Sequence, residues 1–327
     1  MKKLLCFTFS FSILSSYMCN SVKQNIHQKQ SSEINVSNSK NSMLNRMANY
    51  FLFFGTKDDK KYLKNLSKKF KIEELNIDWN SKKIHGYILK PKSNVYDKVC
   101  ICFGSDMLPC HKMITEDIDD LILYICIDYP GFGKSEYIYM NEQKLTEFAD
   151  IVYNYVYNNY KDYNLIAFGF SLGGFPASLM CNKKKIEKVI LISPIYLTGM
   201  LNGLFSESVS KCLVNMLWGY ELNSLKNIFE CKKNCDVSLY SGDTKDFLSL
   251  YYTLSLYFRS YLKNEKDNEQ KLKKIKSIVS ENYKNLNLNI FIYKNCWHHQ
   301  IHPLVVKKNK DLFSLKERTT ISKPNVA

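Results

Sequence analysis

A serine framed by glycines is the first sign of chemistry in this sequence. Residues 169–174 read GFSLGG, between an apolar run at 165–168 and a helical sequence that begins near Phe175. A serine at such a turn from strand to helix is typical of a nucleophile elbow, in which a strained backbone exposes the hydroxyl at the end of the strand. Ser171 is therefore the candidate nucleophile.

The glycines around Ser171 fit the same interpretation. The turn is tight, so a Cβ at position 169 or 173 would collide with neighbouring backbone. The residue after the serine opens a helix, where the first N–H groups have no partner within the helix. The backbone N–H of Leu172 is therefore a candidate donor to an oxyanion.

A serine hydroxyl becomes a good nucleophile only when a base takes its proton and a carboxylate orients that base. Proteins with this elbow order the three groups along the chain as serine, acid and histidine. The candidate acids are Asp243 and Asp246, in a turn that reads SGDTKDF after a short apolar strand. Both follow Ser171, as the order requires.

The candidate bases come after the last predicted strand. The chain has six histidines, and three of them precede Ser171. The other three, His298, His299 and His302, lie together in what the sequence predicts as a loop. A histidine at the carboxyl end of a late strand completes the order, and the spacing alone leaves the choice among them open.

Apolar runs alternate with helical patterns from Phe70 onward. Two strand-like runs joined at Asn80–Ser81 predict a hairpin, and the spacing of apolar residues over 142–160 predicts an amphipathic helix. Residues 118–123 indicate the end of a helix. The buried strand candidates are 99–103, 124–128, 165–168, 188–192, 236–240 and 289–293. This alternation predicts an α/β fold with a mostly parallel sheet flanked by helices.

Two longer segments interrupt that alternation. Residues 195–232 and 247–286 are rich in Leu, Tyr and Phe and give no clean strand signal. Insertions of this kind fold over the carboxyl edge of a parallel sheet and shape the ligand pocket. We therefore expect a small helical cap, with ordinary crossover helices as the alternative, above all for the second segment.

The amino-terminal residues differ from the rest of the chain. Residues 1–20 combine two lysines with a short apolar run, which is the layout of a signal peptide or a retained signal anchor. Residues 21–68 predict a disordered linker with a short apolar piece at 50–54, and residues 69–327 form the folded domain. The chain is therefore expected in the secretory pathway, secreted or membrane-associated.

Composition limits the partners. The 327 residues carry 46 Lys and Arg against 31 Asp and Glu, a net charge of +15, which favours anionic surfaces such as lipid headgroups. The sequence contains no zinc-finger spacing and no aromatic RNA-binding motif, so nucleic acid is not expected as a partner. Cys231 and Cys235 have no second ligand pair, and neither a metal nor an organic cofactor is expected.

Three motifs together resemble one superfamily. DYPGFGKSE at 128–136, FGFSLGGFPAS at 168–178 and GDTKD at 242–246 are similar to the turn, elbow and acid motifs of the α/β-hydrolases, in particular the Bem46-like and ABHD-type serine hydrolases. The resemblance covers about 70–314. It implies a triad of Ser171, Asp246 and His298, with Asp243 and His299 as second choices for acid and base.

The chain departs from that group in two places. Trp297 stands where a small residue usually precedes the histidine, and Phe103-Gly104-Ser105 replaces the usual His-Gly after the first parallel strand. The loop still offers a backbone N–H, and the resemblance implies Ser105 as the second oxyanion donor beside Leu172.

The resemblance implies a function. It indicates a serine hydrolase, of the esterase, lipase or thioesterase kind, that cleaves an ester or thioester of a lipid or acyl chain through an acyl-enzyme. An apolar acyl substrate and an anionic membrane surface are the expected partners. The alternative is a catalytically inactive protein of the same fold that binds or scaffolds at a membrane.

Overall fold

The structure is a computed structural model. It describes residues 43–53, 60–106, 109–115, 118–202, 205–242, 254, 257–258, 261–262, 267–283, 286–309 and 312–313. The predicted signal peptide at 1–20 and the first part of the predicted linker, 21–42, lie outside these residues. No helix in the described part of the chain is both long enough and apolar enough to cross a membrane.

Eight strands form one sheet. They are β1 Phe70–Trp79, β2 Lys82–Pro91, β3 Lys98–Phe103, β4 Ile122–Ile127, β5 Asn164–Phe170, β6 Ile186–Ile192, β7 Cys235–Gly242 and β8 Leu286–Tyr293. Their order across the sheet is β1-β2-β4-β3-β5-β6-β7-β8. β1, β2 and β4 pair antiparallel, and every pair from β4–β3 to β7–β8 is parallel. The mostly parallel sheet predicted from the sequence is confirmed.

Helices flank this sheet. They are α1 Met43–Leu52, α2 Lys60–Leu66, α3 Glu142–Tyr160, α4 Gly174–Leu179, α5 Leu197–Asn202, α6 Glu207–Leu217, α7 Ser224–Phe229, α8 Asn268–Asn282 and α9 His298–Lys308. The strands β3 to β6 are almost wholly buried, because helices cover both faces of the sheet and the burial of apolar side chains there is favourable.

Two local predictions have clear outcomes. The hairpin is present: Asn80 and Ser81 both adopt positive φ, 50° and 64°, as a two-residue turn between twisted strands requires. The helix end predicted at 118–123 is wrong, because β4 already begins at Ile122 and 118–121 is turn. The apolar run that starts at Leu121 continues through β4, and such a run does not distinguish a buried strand from a helix.

The predicted domain boundary at 69 is too late. Two helices, α1 and α2, lie inside the interval assigned to a disordered linker. In α1 the side chain of Asn49 is buried and hydrogen-bonds the hydroxyls of Tyr139 and Tyr220, and Phe53 after the helix packs edge-on against Tyr129. These contacts hold α1 on the domain.

The first predicted cap segment, 195–232, contains three helices. α5 and α6 form an insertion whose first and last residues bond each other. Tyr196 pairs with Asn223, and the Ser224 N–H donates to the Ile195 carbonyl. These bonded residues, 195–196 and 223–224, are called the neck. α6 packs on α5 and on α1, whereas α7 packs on α4 as a crossover helix does. The part of this segment that corresponds to the predicted small helical cap is therefore the α5–α6 pair, and α7 lies outside it.

The second segment, 247–286, is described only in part. Its long helix α8 contacts β8, the strand that follows it. This arrangement corresponds to a crossover helix between β7 and β8, which the sequence left as an alternative to a cap.

Candidate active site

The turn after β5 has the strained geometry that an elbow needs. Ser171 adopts φ of 56°, a left-handed conformation that is unfavourable for a residue with a side chain. A Cβ on Gly169 would lie 2.2 Å from the Gly173 carbonyl oxygen, and one on Gly173 would lie 2.0 Å from the Phe103 carbonyl oxygen. Side chains at these two positions are therefore excluded, as the sequence predicted.

The backbone of the strained Ser171 is hydrogen-bonded by the segment that follows β6. The Ile195 N–H donates to the Ser171 carbonyl at 3.0 Å. A Cβ on Gly174 would lie 2.6 Å from Pro194, so this close approach also requires a glycine. Because Ile195 belongs to the neck of the cap, the elbow and the base of the cap are directly connected.

The structure brings His298 to the serine. The Nε2 atom of His298 lies 3.0 Å from Ser171 Oγ, which is hydrogen-bonding distance and the reach of a general base. The imidazole stacks on the ring of Phe170, with centroids 5.1 Å apart and planes at 24°. This aromatic contact and the hydrogen bond fix the orientation of the ring.

The histidines do not lie in a loop as predicted. His298 is the first residue of α9, and the side-chain carbonyl of Gln300 accepts a hydrogen bond from the Trp297 N–H at 3.2 Å. This bond caps the amino terminus of the helix. The helical spacing separates the three rings: His298 faces Ser171, His299 is exposed, and His302 is buried one turn further on. The geometry therefore favours His298 over His299.

His302 lies in the core beneath His298. It packs against Phe168 and Phe170, on which His298 also stacks. One ring nitrogen bonds the backbone of Met113, while Nε2 has no hydrogen-bond partner among the described residues. Burial lowers the pKa of His302 from 6.5 to about 4, because the charged ring would lose its hydration.

This buried histidine makes stability depend on pH. Since its pKa is lower in the folded protein, the unfolded chain binds the extra proton first, and stability is lost as the pH falls from about 6.5 to 4. The loss at the acid end amounts to about 3 kcal/mol. Urea denaturation at a series of pH values should show a flatter dependence for His302→Phe than for the wild type. His299→Phe is the control, and an equally steep dependence in His302→Phe would contradict the assignment.

The two candidate acids, Asp243 and Asp246, lie outside the described residues. β7 ends at Gly242, the residue directly before Asp243. In the sheet, β7 lies between β6 and β8 with all three strands parallel, so the chain leaves β7 at the same edge at which Ser171 and His298 follow their strands. The position of the strand agrees with an acid in the following turn.

The loop after β3 forms the opposite side of the site. β3 pairs with β5 so that Phe103 is opposite Gly169, and the carbonyls of Phe103 and Gly104 lie against Gly173. The hydroxyl of Tyr129 donates to the Gly104 carbonyl at 3.1 Å. Ser105, the predicted second oxyanion donor, is buried in this loop, next to the elbow that carries Leu172.

Two side chains of the motif at 128–136 accept hydrogen bonds from the backbone near this loop. The Asp128 carboxylate accepts a hydrogen bond from the Cys110 N–H at 2.9 Å, where the chain makes a single turn of 3₁₀ helix after the loop. Ser135 accepts from the His85 N–H at 2.8 Å. The conformation of the loop therefore depends on β2 and on the turn after β4.

Sequence reasoning missed one residue of the site, Asp106. It directly follows Ser105, and its charge interacts with that of His298. Burial raises the pKa of this carboxyl to about 6, while the His298 charge acts in the opposite direction. The only available signal was a charged residue directly after a buried strand and a glycine. Among the described residues, no group of three or more His, Cys, Asp or Glu side chains is arranged to hold a metal ion.

Comparison with solved structures identifies the fold. An α/β hydrolase from Vibrio vulnificus superposes with a TM-score of 0.59 at 15% identity, covering 84% of this chain and 95% of its own. An esterase from Pyrococcus furiosus gives 0.51 at 17% identity, with 79% and 93% covered. An esterase from Pyrobaculum calidifontis gives 0.51 at 11% identity, with 84% and 93% covered. The chain has the α/β-hydrolase fold, as the motifs indicated.

The likeness is one of structure rather than of sequence. No family model matches the chain, and no curated protein sequence matches it. At identities of 11 to 17% the solved structures establish the fold alone, and the reaction has to be argued from the site.

Proposed function

We propose that this protein is a serine hydrolase that cleaves an ester or thioester through a covalent acyl-enzyme. The observation that carries the proposal is the 3.0 Å contact between Ser171 Oγ and His298 Nε2, with the serine in a strained left-handed turn. A strained conformation has an energetic cost and persists only where the surrounding structure enforces it. The neighbouring esterases named above are consistent with this reaction class.

In the proposed reaction, Ser171 Oγ attacks the substrate carbonyl while His298 Nε2 takes the hydroxyl proton. His298 then gives the proton to the leaving group, and water repeats the sequence on the acyl-enzyme. Asp246 holds the imidazole in the required orientation, with Asp243 as the second choice. The backbone N–H groups of Leu172 and Ser105 bind the oxyanion, each contributing about 3 kcal/mol to transition-state stabilisation.

The substrate proposed is an apolar acyl chain, in keeping with the Bem46-like and ABHD-type resemblance. Trp297, next to His298, is 53% exposed. Exposed aromatic side chains beside an active site suit lipid-like substrates and membrane contact. The net charge of +15 favours an anionic membrane surface, and the apolar leader at 1–20 supports a secreted or membrane-associated location.

A fluorophosphonate probe tests the proposal. Such probes react covalently with an activated serine, so the wild type should be labelled and Ser171→Ala should not. Ser67→Ala is the matched control, because Ser67 is exposed at the end of α2 and bonds only the local backbone. A folded wild-type protein that remains unlabelled would contradict the hydrolase and favour an inactive binding or scaffold protein of this fold.

The same preparation separates the two acids. Asp246→Asn should lower the rate of probe labelling and of ester hydrolysis strongly, because the imidazole loses the carboxylate that orients it. Asp243→Asn should have the smaller effect. The reverse order would assign the role to Asp243.

A further inference from the structure

Asp106 has no role in the reaction proposed above, yet its charge interacts with that of the proposed base, His298. Asp106 is the second residue after Gly104, whose carbonyl lies against Gly173 of the elbow. The register of β3 and β5 places this loop at the carboxyl end of the strand that carries Ser171. Asp106 itself is half-buried in this loop.

The carboxyl of Asp106 interacts electrostatically with titratable neighbours. The charge of Asp106 interacts with those of His298 and Tyr129. The phenol of Tyr129 stays neutral because burial raises its pKa well above its ordinary value. Burial raises the pKa of the Asp106 carboxyl to about 6, so around neutral pH it is a single negative charge in the loop that adjoins the elbow.

We propose that Asp106 is a specificity-determining residue that selects the acyl group by charge. It favours acyl groups that carry a positive charge close to the scissile carbonyl and disfavours acyl groups that carry a negative charge there. This inference rests on the serine hydrolase proposed above, and it concerns which esters that enzyme cleaves fastest.

The geometry explains why the effect falls on the acyl group. The carbonyl carbon becomes bonded to Ser171 Oγ, and its oxygen points to the backbone of residues 105 and 172. The acyl group stays attached to Ser171 after the leaving group has departed, so it remains beside the loop that contains Asp106. A carboxylate also disfavours the oxyanion, but this effect is the same for every substrate and cancels when two substrates are compared.

Three esters of 4-nitrophenol measure the selectivity. Their acyl groups are butyrate, 4-trimethylammoniobutyrate and 4-sulfobutyrate, which are neutral, positive and negative. Neither substrate charge titrates near neutral pH, so any pH dependence of the selectivity arises in the protein. The measured quantity is the ratio of kcat/KM for the positive ester to that for the negative ester, in which the titration of the triad cancels.

We expect Asp106→Asn to lower this ratio about tenfold at about pH 7.5, as two unit charges several ångströms apart near a protein surface would produce. In the wild type, the ratio should fall towards the value of the variant as the pH decreases to about 5, because Asp106 becomes protonated. This second measurement needs no variant, so it tests the inference even if Asp106→Asn does not fold.

Asp97→Asn is the matched control. It removes the same charge at the opposite end of β3, where Asp97 is exposed and pairs with Lys98, and it should leave the ratio at the wild-type value. Hydrolysis of the neutral ester with a ratio that neither changes in Asp106→Asn nor depends on pH would overturn this inference alone. A folded wild type that cleaves none of the three esters would overturn the hydrolase proposal and this inference with it.

Discussion

His298→Ala is expected to lower kcat/KM for ester hydrolysis by a factor of about 10⁴ or more. His298 Nε2 is at 3.0 Å from the serine oxygen, and without it no described side chain is positioned to take the proton. The measurement is the hydrolysis of 4-nitrophenyl butyrate by purified variant and wild type. Equal circular dichroism spectra and urea midpoints would show that the variant is folded.

His299→Ala is the matched control for this prediction. His299 is the next residue on α9 and is exposed, so its removal should change the rate by no more than about threefold. The two variants lose the same chemical group at adjacent positions. A large loss in His299→Ala with a small one in His298→Ala would show that the wrong histidine has been assigned.

Gly173→Ala is expected to lower the free energy of unfolding by about 3 kcal/mol or more and to remove most of the activity. The added Cβ would lie 2.0 Å from the Phe103 carbonyl oxygen and 2.6 Å from that of Gly104. Both are backbone atoms, so the elbow and the loop after β3 must move apart. That movement displaces the Ser105 N–H relative to Ser171, and hydrolysis should fall in whatever fraction stays folded.

Gly219→Ala is the control variant, because it measures the loss of stability when a glycine of positive φ is replaced without a steric clash. Gly219 has φ of +72°, but the nearest atom to an added Cβ is the Asn45 side-chain nitrogen at 3.5 Å. Its substitution should cost only about 1 kcal/mol, the strain of a left-handed alanine. Urea denaturation of both variants gives the comparison. Equal losses of stability would contradict the close approach of the elbow to β3.

Local patterns were sufficient to predict much of this molecule. The helix at 142–160, the hairpin at Asn80–Ser81 and the glycines around Ser171 depend on residues within a few positions of each other. The chain order of serine and histidine was also readable, because parallel strands place their carboxyl ends along one edge of the sheet. The resemblance already ranked His298 ahead of His299, but the spacing of the residues did not. The structure supplies the physical reason, since the two differ in which side of α9 they occupy.

Contacts between distant parts of the chain could not be predicted in this way. The proximity of Asp106 to His298 joins positions 192 residues apart (298 − 106). The docking of α1 depends on hydrogen bonds from Asn49 to Tyr139 and Tyr220. The sequence around α1 is rich in Lys and Asn, so the segment resembled a linker. Composition indicates whether a segment is able to bury apolar surface, but it does not indicate which distant polar residues the segment hydrogen-bonds in the folded protein.

The docking of α1 has a mechanical consequence. Tyr220 lies between α6 and the neck of the cap, and the neck bonds the carbonyl of Ser171 through Ile195. A force applied to the chain at residue 43 would therefore reach the cap through Asn49 and Tyr220 as well as the segment after β4 through Tyr139. Tension at that end of α1 would act on the neck that bonds the carbonyl of Ser171.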